Sequence, residues 1–297
     1  MTCLLLTCLA TCLPVPHYPS LEGEKTTQDY HGTSVADPYR FLEEAKNEKT
    51  LKWIHEENAL STKYLQSIPV RAKLHQRINE LTLYDKYSVP IKAGKRLLFF
   101  SQSGLQAQPI LYVQDGLHKE LRILIDPNLL SKEGEVSLGE MAPSFDGKYL
   151  AYTLSQKGSD WKEIQIIEMK SGKRLKDSLI KVKFPSIAWK GKGFYYSAYS
   201  SQDQAVDTSQ KIYYHKIGSL QTKDKLIYSN DKDLYEMYAP RTTEDGELLL
   251  FVSAKGKVGT EVLWYTKGKW TPIVDNFDHI NEFIDLFDSK CYLLQDN

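Results

Sequence analysis

Ser144–Gly172 reads SFDGKYLAYTLSQKGSDWKEIQIIEMKSG, and this stretch decides the fold. Tyr149–Leu154 and Trp161–Met169 are runs rich in aromatic, β-branched and aliphatic residues, the composition of strands. Asp146-Gly147 precedes the first run and Ser171-Gly172 follows the second, both turn pairs able to supply positive φ to a hairpin. The pattern recurs along the chain. Third strands of successive units fall at Pro109–Gln114, Trp161–Met169, Lys211–Ile217 and Thr260–Thr266, with starts 52, 50 and 49 residues apart. Second strands fit Arg96–Ser101, Tyr149–Leu154, Phe194–Ala198 and Leu248–Ser253, and Asp245-Gly246 and Lys267-Gly268 mark further turns. First strands are expected at Tyr87–Ile91, Val136–Ala142, Val182–Ala188 and Met237–Arg241. Four strands per unit of about 50 residues describe the blades of a β-propeller.

Ile280–Phe287 and Lys290–Gln295 open a fifth unit. The expected fold is mainly β: a partial propeller of about four to five four-stranded blades over residues 85–297, preceded by a helical arm over 21–84. In the arm, Asp37 is expected to cap a helix whose first residue is Pro38. A longer helix follows from Asn47 to Leu65, and after Pro69 a third from Ala72 to Leu81. Leu51, Ile54 and Leu65 share one face, with Trp53, Leu60 and Tyr64 beside it, a stripe that reads as core. Residues 1–20 read differently. Cys3–Leu13 is apolar, has the length of a signal-peptide core and ends at Pro14 and Pro16, but no Lys or Arg precedes it. Leu9-Ala10-Thr11-Cys12 is an imperfect lipoprotein pattern. A working leader would place the protein in the periplasm or outside the cell, and an inert tail would leave it in the cytoplasm. The run is too short to span a bilayer.

Lysine plus arginine equals aspartate plus glutamate, 38 each, so charge gives no case for nucleic acid or anionic lipid as a partner. Three of the four cysteines lie in the first dozen residues, leaving Cys291 alone, which excludes a disulfide scaffold and a cysteine-rich zinc site. No cofactor or metal is expected. The nearest match to a nucleophile elbow is Gly32-Thr33-Ser34-Val35-Ala36, but no strand-rich run leads into it, and Ser34 reads as a loop residue. His215, among alternating aromatics, reads as packing, and His55 and His75 as helix-surface residues. Glu43/Glu44 and Glu56/Glu57 are adjacent pairs that cannot face each other across a substrate. Gly256-Lys257-Val258-Gly259-Thr260 lacks the Gly-Lys-Ser/Thr step of a phosphate loop. No catalytic constellation is expected in these residues.

Several strings, in order, resemble the front half of the prolyl oligopeptidase family of serine peptidases. They are DPYRFLEE (Asp37–Glu44), GLQAQPILY (Gly104–Tyr112), DPN (Asp126–Asn128), GSDW (Gly158–Trp161) and YYHKIG (Tyr213–Gly218). Phe41 and Lys157 stand where the family carries Trp and Ser. The resemblance implies a helical arm, seven blades and an α/β-hydrolase domain carrying the Ser-Asp-His triad. On that reading the present residues hold the arm and part of the propeller, without the hydrolase domain. The implied function is the N-terminal part of a serine endopeptidase that cleaves short peptides after proline, its propeller excluding large substrates. The implied partners are proline-containing oligopeptides and the hydrolase domain. Two positions match the family's propeller contribution to the substrate pocket: Phe184, in Lys183-Phe184-Pro185, and Met237, in Tyr235-Glu236-Met237. The alternative is a free-standing propeller serving as a protein-interaction scaffold, which calls for a completed ring and repeat signatures such as a Trp-Asp dipeptide. A carbohydrate-active propeller would want carboxylate pairs on successive first strands, and these carry none.

Overall fold

In the computed structural model the described residues are 17–200, 209–232, 235–287 and 290–296. The apolar run Cys3–Leu13 lies outside them. The chain divides into two compact units, one ending at Thr82 and one beginning at Leu83.

The first unit opens with a hairpin, β1 (Thr27–Tyr30) and β2 (Thr33–Ala36), turned at His31-Gly32. Gly32 N donates to Asp29 Oδ1 at 2.9 Å, an Asx-type closure. The sequence pattern gave no sign of this hairpin. Two long helices follow, α1 (Glu48–Ser67) and α2 (Arg71–Thr82). Asn47 caps α1, its side chain accepting from Lys49 N at 2.9 Å. Asp37 does not cap a helix. The segment after it forms only a short 3-10 turn, Arg40–Glu43, preceded by Tyr39, and Asp37 instead reaches Arg40 Nη1 at 3.5 Å. Phe41 is buried there, with Thr50 Oγ1 donating to its carbonyl at 3.0 Å. The apolar stripe of α1 is not core: Leu51, Ile54, Tyr64 and Leu65 are all exposed.

The second unit is built of antiparallel meanders. Its first sheet joins β3 (Lys86–Tyr87), β4 (Ile91–Ala93), β5 (Arg96–Gln102), β6 (Ile110–Gln114) and β7 (Leu121–Ile125), with β3 and β4 both pairing β5. The second contains β8 (Val136–Pro143), β9 (Tyr149–Gln156), β10 (Trp161–Glu168) and β11 (Lys173–Lys183). The third contains β12 (Ile187–Lys190), β13 (Gly193–Ala198), β14 (Lys211–Lys216) and β15 (Lys225–Tyr228). The fourth contains β16 (Glu236–Thr242), β17 (Leu248–Ala254), β18 (Glu261–Thr266) and β19 (Lys269–Val274). A two-stranded sheet of β20 (Asn281–Phe287) and β21 (Lys290–Gln295) follows. These are the four blades and the opening of a fifth that the repeat predicts. Two first strands are misplaced by the sequence pattern. The expected Tyr87–Ile91 is split, residues 88–90 lying between β3 and β4. Val182 and Lys183 end β11, so that the third blade starts only at Ile187. This second break falls where Phe184 turns left-handed at φ 49° and Pro185 has no N–H to offer a ladder.

Alternation along the second strands explains how blades stack. Successive side chains point to opposite faces, and in these strands both faces are covered. Tyr196 joins Ile164, Ile166, Leu179, Trp189 and Phe194 at the seam of blades two and three. Its neighbour Tyr195 turns the other way, into a cluster with Ile212, Tyr238, Leu248 and Leu250 at the seam of blades three and four. Leu249 and Phe251 likewise face the fifth sheet through Phe283 and Leu293, while Leu98, Leu111 and Val113 of blade one meet Leu150 and Tyr152 of blade two. Each fully buried Leu or Phe of this kind contributes about 1.5–3 kcal/mol.

Turn chemistry holds the hairpins in register. Gly147, Gly172, Gly246 and Gly268 all adopt positive φ, as their turns require. At the Asp146-Gly147 turn, Asp146 Oδ1 accepts from Ser144 Oγ at 2.6 Å and Lys148 N at 2.9 Å. The Ser144 hydrogen bond leads in holding that carboxyl below the usual aspartate range. In all four blades the pairing of the third and fourth strands carries a register shift, at Leu111/Tyr112, at Lys162/Ile164 and Gln165/Ile167, at Ile212/Tyr213 and at Val262/Leu263.

Candidate functional site

Phe184 lies three residues before β12 and Met237 is the second residue of β16, the first, inner strands of consecutive blades. Both side chains are open to solvent, Phe184 at 51% and Met237 at 41% exposure. Phe184 sits at φ 49°, and Tyr235, two residues before Met237, at φ 68°. A bulky residue in the left-handed region is strained, and such strain tends to be kept at functional positions. Each of these aromatics also lies under an ammonium: Lys183 Nζ is 5.3 Å from the Phe184 ring and Lys255 Nζ is 4.6 Å from that of Tyr235.

One buried side chain ties the two places together. Gln210 Nε2 donates to the carbonyls of Lys183 at 2.7 Å and Phe184 at 3.2 Å, while its Oε1 accepts from Tyr238 N at 2.8 Å. Gln210 is fully buried, so every one of these bonds is made away from competing water. Glu236 anchors the start of β16 from the other side. Its Oε2 accepts from Tyr238 Oη at 2.6 Å and Asn230 Nδ2 at 3.1 Å, and its N–H donates to Ser209 Oγ at 3.0 Å. Burial first, and the Glu236 carboxylate second, push the Tyr238 hydroxyl pKa far up, so it stays a donor. The result is two exposed apolar side chains on a rigid frame. They can offer contact area to an apolar group, and nothing in them transfers a proton.

The other sequence candidates are placed elsewhere. Ser34 lies in β2, paired across the hairpin with Asp29 and not on a strand-to-helix turn. His55 and His75 are exposed on α1 and α2. His215 is 1% exposed and sits between two carboxylates, with Nε2 3.0 Å from Asp177 Oδ1 and Nδ1 2.8 Å from Asp224 Oδ1. Tyr196 Oη donates to Asp224 Oδ2 at 2.8 Å, and Gly218 N to Asp177 Oδ1 at 2.6 Å. Burial alone would lower the imidazole pKa, but the hydrogen bonds and charges of Asp224 and Asp177 outweigh it and leave it raised. The cluster joins β11 and β14 across a blade seam, and every partner is spoken for.

The quoted motifs prove to be joints of the same kind. Gln108 of GLQAQ and Asn128 of DPN exchange hydrogen bonds of 2.9 Å in both directions. Asp126 caps the short turn between them, accepting from Asn128 N at 2.9 Å. In GSDW, Ser159 Oγ accepts from Trp161 N at 3.1 Å, and the Trp161 ring packs edge-on against Tyr199. The family model of the prolyl oligopeptidase N-terminal β-propeller domain matches residues 18–297. The chain belongs to the prolyl oligopeptidase family.

Among relatives in this family, the chain is 34% identical to a prolyl endopeptidase of Elizabethkingia meningoseptica over 94% of its own length and 41% of the relative's. It is 30% identical to prolyl oligopeptidase A of Amanita bisporigera, over 93% of the chain and 42% of that protein. A solved prolyl endopeptidase structure superposes with a TM-score of 0.81 at 28% identity, over 94% of this chain and 42% of that one. Prolyl oligopeptidase B of Galerina marginata, bound to a 35-residue hydrolysis and macrocyclisation substrate, gives 0.77 at 25% identity, over 94% and 44%. The chain thus spans about two fifths of the length of the relatives it matches, and the part matched is their N-terminal propeller region.

Sequence reading missed Gln210, Tyr235 and Glu236. Tyr235 had a signal, an aromatic just ahead of a first strand, as Phe184 lies a few residues ahead of its own. Gln210 had none, because its role depends on two carbonyls some 26 residues earlier. No group of three or more potential metal ligands occurs among the described residues, and no described helix is long and apolar enough to cross a membrane.

Proposed function

We propose that this chain is the arm and part of the propeller of a serine endopeptidase that cleaves short peptides after proline. Residues 21–84 are the arm and 85–297 the incomplete propeller. The catalytic Ser, Asp and His belong to an α/β-hydrolase domain not contained in these residues, and the chain by itself hydrolyses nothing. The arm's exposed apolar stripe, Leu51, Ile54 and Leu65, suits a cover for that domain. The propeller acts as a filter: inner strands clamped by buried hydrogen bonds admit an extended peptide and keep out a folded protein.

The observation that carries this reading is the pair Phe184 and Met237, exposed yet held by Gln210 at adjacent inner strands. They form an apolar roof for the group two or three residues upstream of the cut. In the complete enzyme, Phe184→Ala should lower kcat/KM for a substrate with a bulky apolar group at that position by about 1 kcal/mol, since the half-exposed ring offers only part of its area. A minimal Gly-Pro substrate should be cleaved as before. Equal losses on both substrates would mean that Phe184 only holds its blade, and the roof assignment would go.

A further inference from the structure

Hydrogen bonds between inner strands set a common level along them. Trp189 Nε1 donates to Ala142 O at 2.6 Å, and Thr242 Oγ1 donates to Trp189 O at 2.7 Å, so Ala142, Trp189 and Thr242 stand level. Two residues nearer the start of each strand lie Glu140, Ile187 and Pro240. Arg241 bends back to this second level. Its Nη1 donates to Ser186 Oγ at 2.7 Å and to Pro240 O at 2.9 Å. Ser186 is two residues after Phe184, and Arg241 shares the strand face of Met237, four residues on. The guanidinium is thus fixed close behind the apolar roof.

Arg241 has no carboxylate within 4.0 Å among the described residues. The carboxylate that feels its charge is Glu140. It lies on a bulge of β8, where the pairing with β9 shifts between Leu138 and Met141. The bulge contains Gly139, over which Lys162 Nζ lies 3.3 Å from where a Cβ would stand. Glu140 is an exposed residue. Desolvation raises its pKa, against the pull of Arg241 and Lys162. Two cations to one carboxylate leave this level net positive, and the guanidinium has donors to spare.

Building on the peptide-roof reading, we infer that Arg241 is a specificity-determining residue, the cation that receives an acidic side chain of the peptide adjoining the residue held by Phe184 and Met237. The substrate class is therefore peptides with Asp or Glu just upstream of an apolar residue. Arg241 does not act on the scissile bond. It sorts substrates by charge before they are cut.

The test uses the 297-residue chain with ¹³C-labelled methionine methyls, following Met237 by NMR as two peptides are added. The probes are acetyl-Glu-Phe-Gly-Pro-amide and its Gln-Phe-Gly-Pro twin. The Glu peptide should bind about fivefold more tightly at low salt, and the advantage should shrink at 0.5 M salt, about 4 Å of Debye length. Arg241→Gln should bring the two peptides level without changing the Gln peptide's affinity. Glu140→Gln should widen the gap, which a merely structural role of this level would not do. Equal binding of the two peptides, or a gap that survives Arg241→Gln, overturns the inference and leaves the roof standing. If neither peptide shifts the Met237 methyl, the roof reading fails and takes the inference with it.

Discussion

His215 and Phe184 belong to the same region of the propeller and are opposite kinds of residue. His215 is a histidine between two aspartates, the arrangement that usually announces chemistry, yet it is sealed in a blade seam. Phe184 carries no titratable group and stands half in solvent, in a backbone conformation that costs energy to keep. The difference separates two uses of a costly feature. Around His215 the cost of burying charge is met locally, by Asp177, Asp224, Tyr196 and Gly218 N, and the outcome is a fastened seam. Around Phe184 the strain gains no buried contact for the ring, only a fixed position for it. On the proposed reading of Phe184, exposure marks function better than titratability does.

The largest test of this contrast removes the imidazole. His215→Ala leaves two buried aspartates facing each other and should cost about 3–5 kcal/mol, read from the urea midpoint. A loss under about 1 kcal/mol would mean that the cluster is not a fastening. The pH dependence of stability is a gentler probe. The folded state raises the His215 pKa, so its contribution is fully present below about pH 6.5, the ordinary histidine value. It is lost as pH climbs through the raised value. Urea midpoints taken from pH 6 to pH 9 should fall for the natural chain and run flatter for His215→Gln. Tyr195, pushed up to about 12 chiefly by burial, lies beyond that scan.

At the proposed roof of Phe184 and Met237, effects on stability should be small and effects on binding should not. Phe184→Gly should be more stable than Phe184→Ala by about 1 kcal/mol, because both lose the ring but only glycine accepts φ 49° freely. Both should lose the apolar peptide contact equally. If alanine proves the more stable, the left-handed geometry is not a strain. Smallest of all, Met237→Ala should change the urea midpoint by no more than about 0.5 kcal/mol equivalent while weakening binding of a bulky peptide.

The blades were legible because strand alternation and turn residues are local signals. Third strands observed to start at Ile110, Trp161, Lys211 and Glu261 each fall within one residue of where the sequence pattern puts them. Errors arise where a local signal lacks its partner. The Val182–Ala188 strand fails because nothing local says that Phe184 turns left-handed. Asp37-Pro38 has the residues of a helix start but only one turn follows, since Phe41 is drawn into contact with Thr50 instead. The stripe on α1 shows which side chains share a face, and a period cannot say what covers it. Phe184 and Met237 were reachable only through family resemblance, whereas Gln210, Ser186 and Arg241 need the third dimension, because their partners lie 26 to 55 residues away.

The recurrent register shift between third and fourth strands has a consequence for solubility. An outermost strand offers a row of unsatisfied N–H and C=O groups to any passing chain, and four such rows on one molecule would invite stacking into fibrils. Extra residues in the fourth strand of each blade break the even spacing that a second strand needs to dock and increase the local twist. A protein with a bulge along each of these four outer strands carries its own guard there against cross-β growth. Smoothing just one, by deleting the extra residue, should show first as turbidity in concentrated solution.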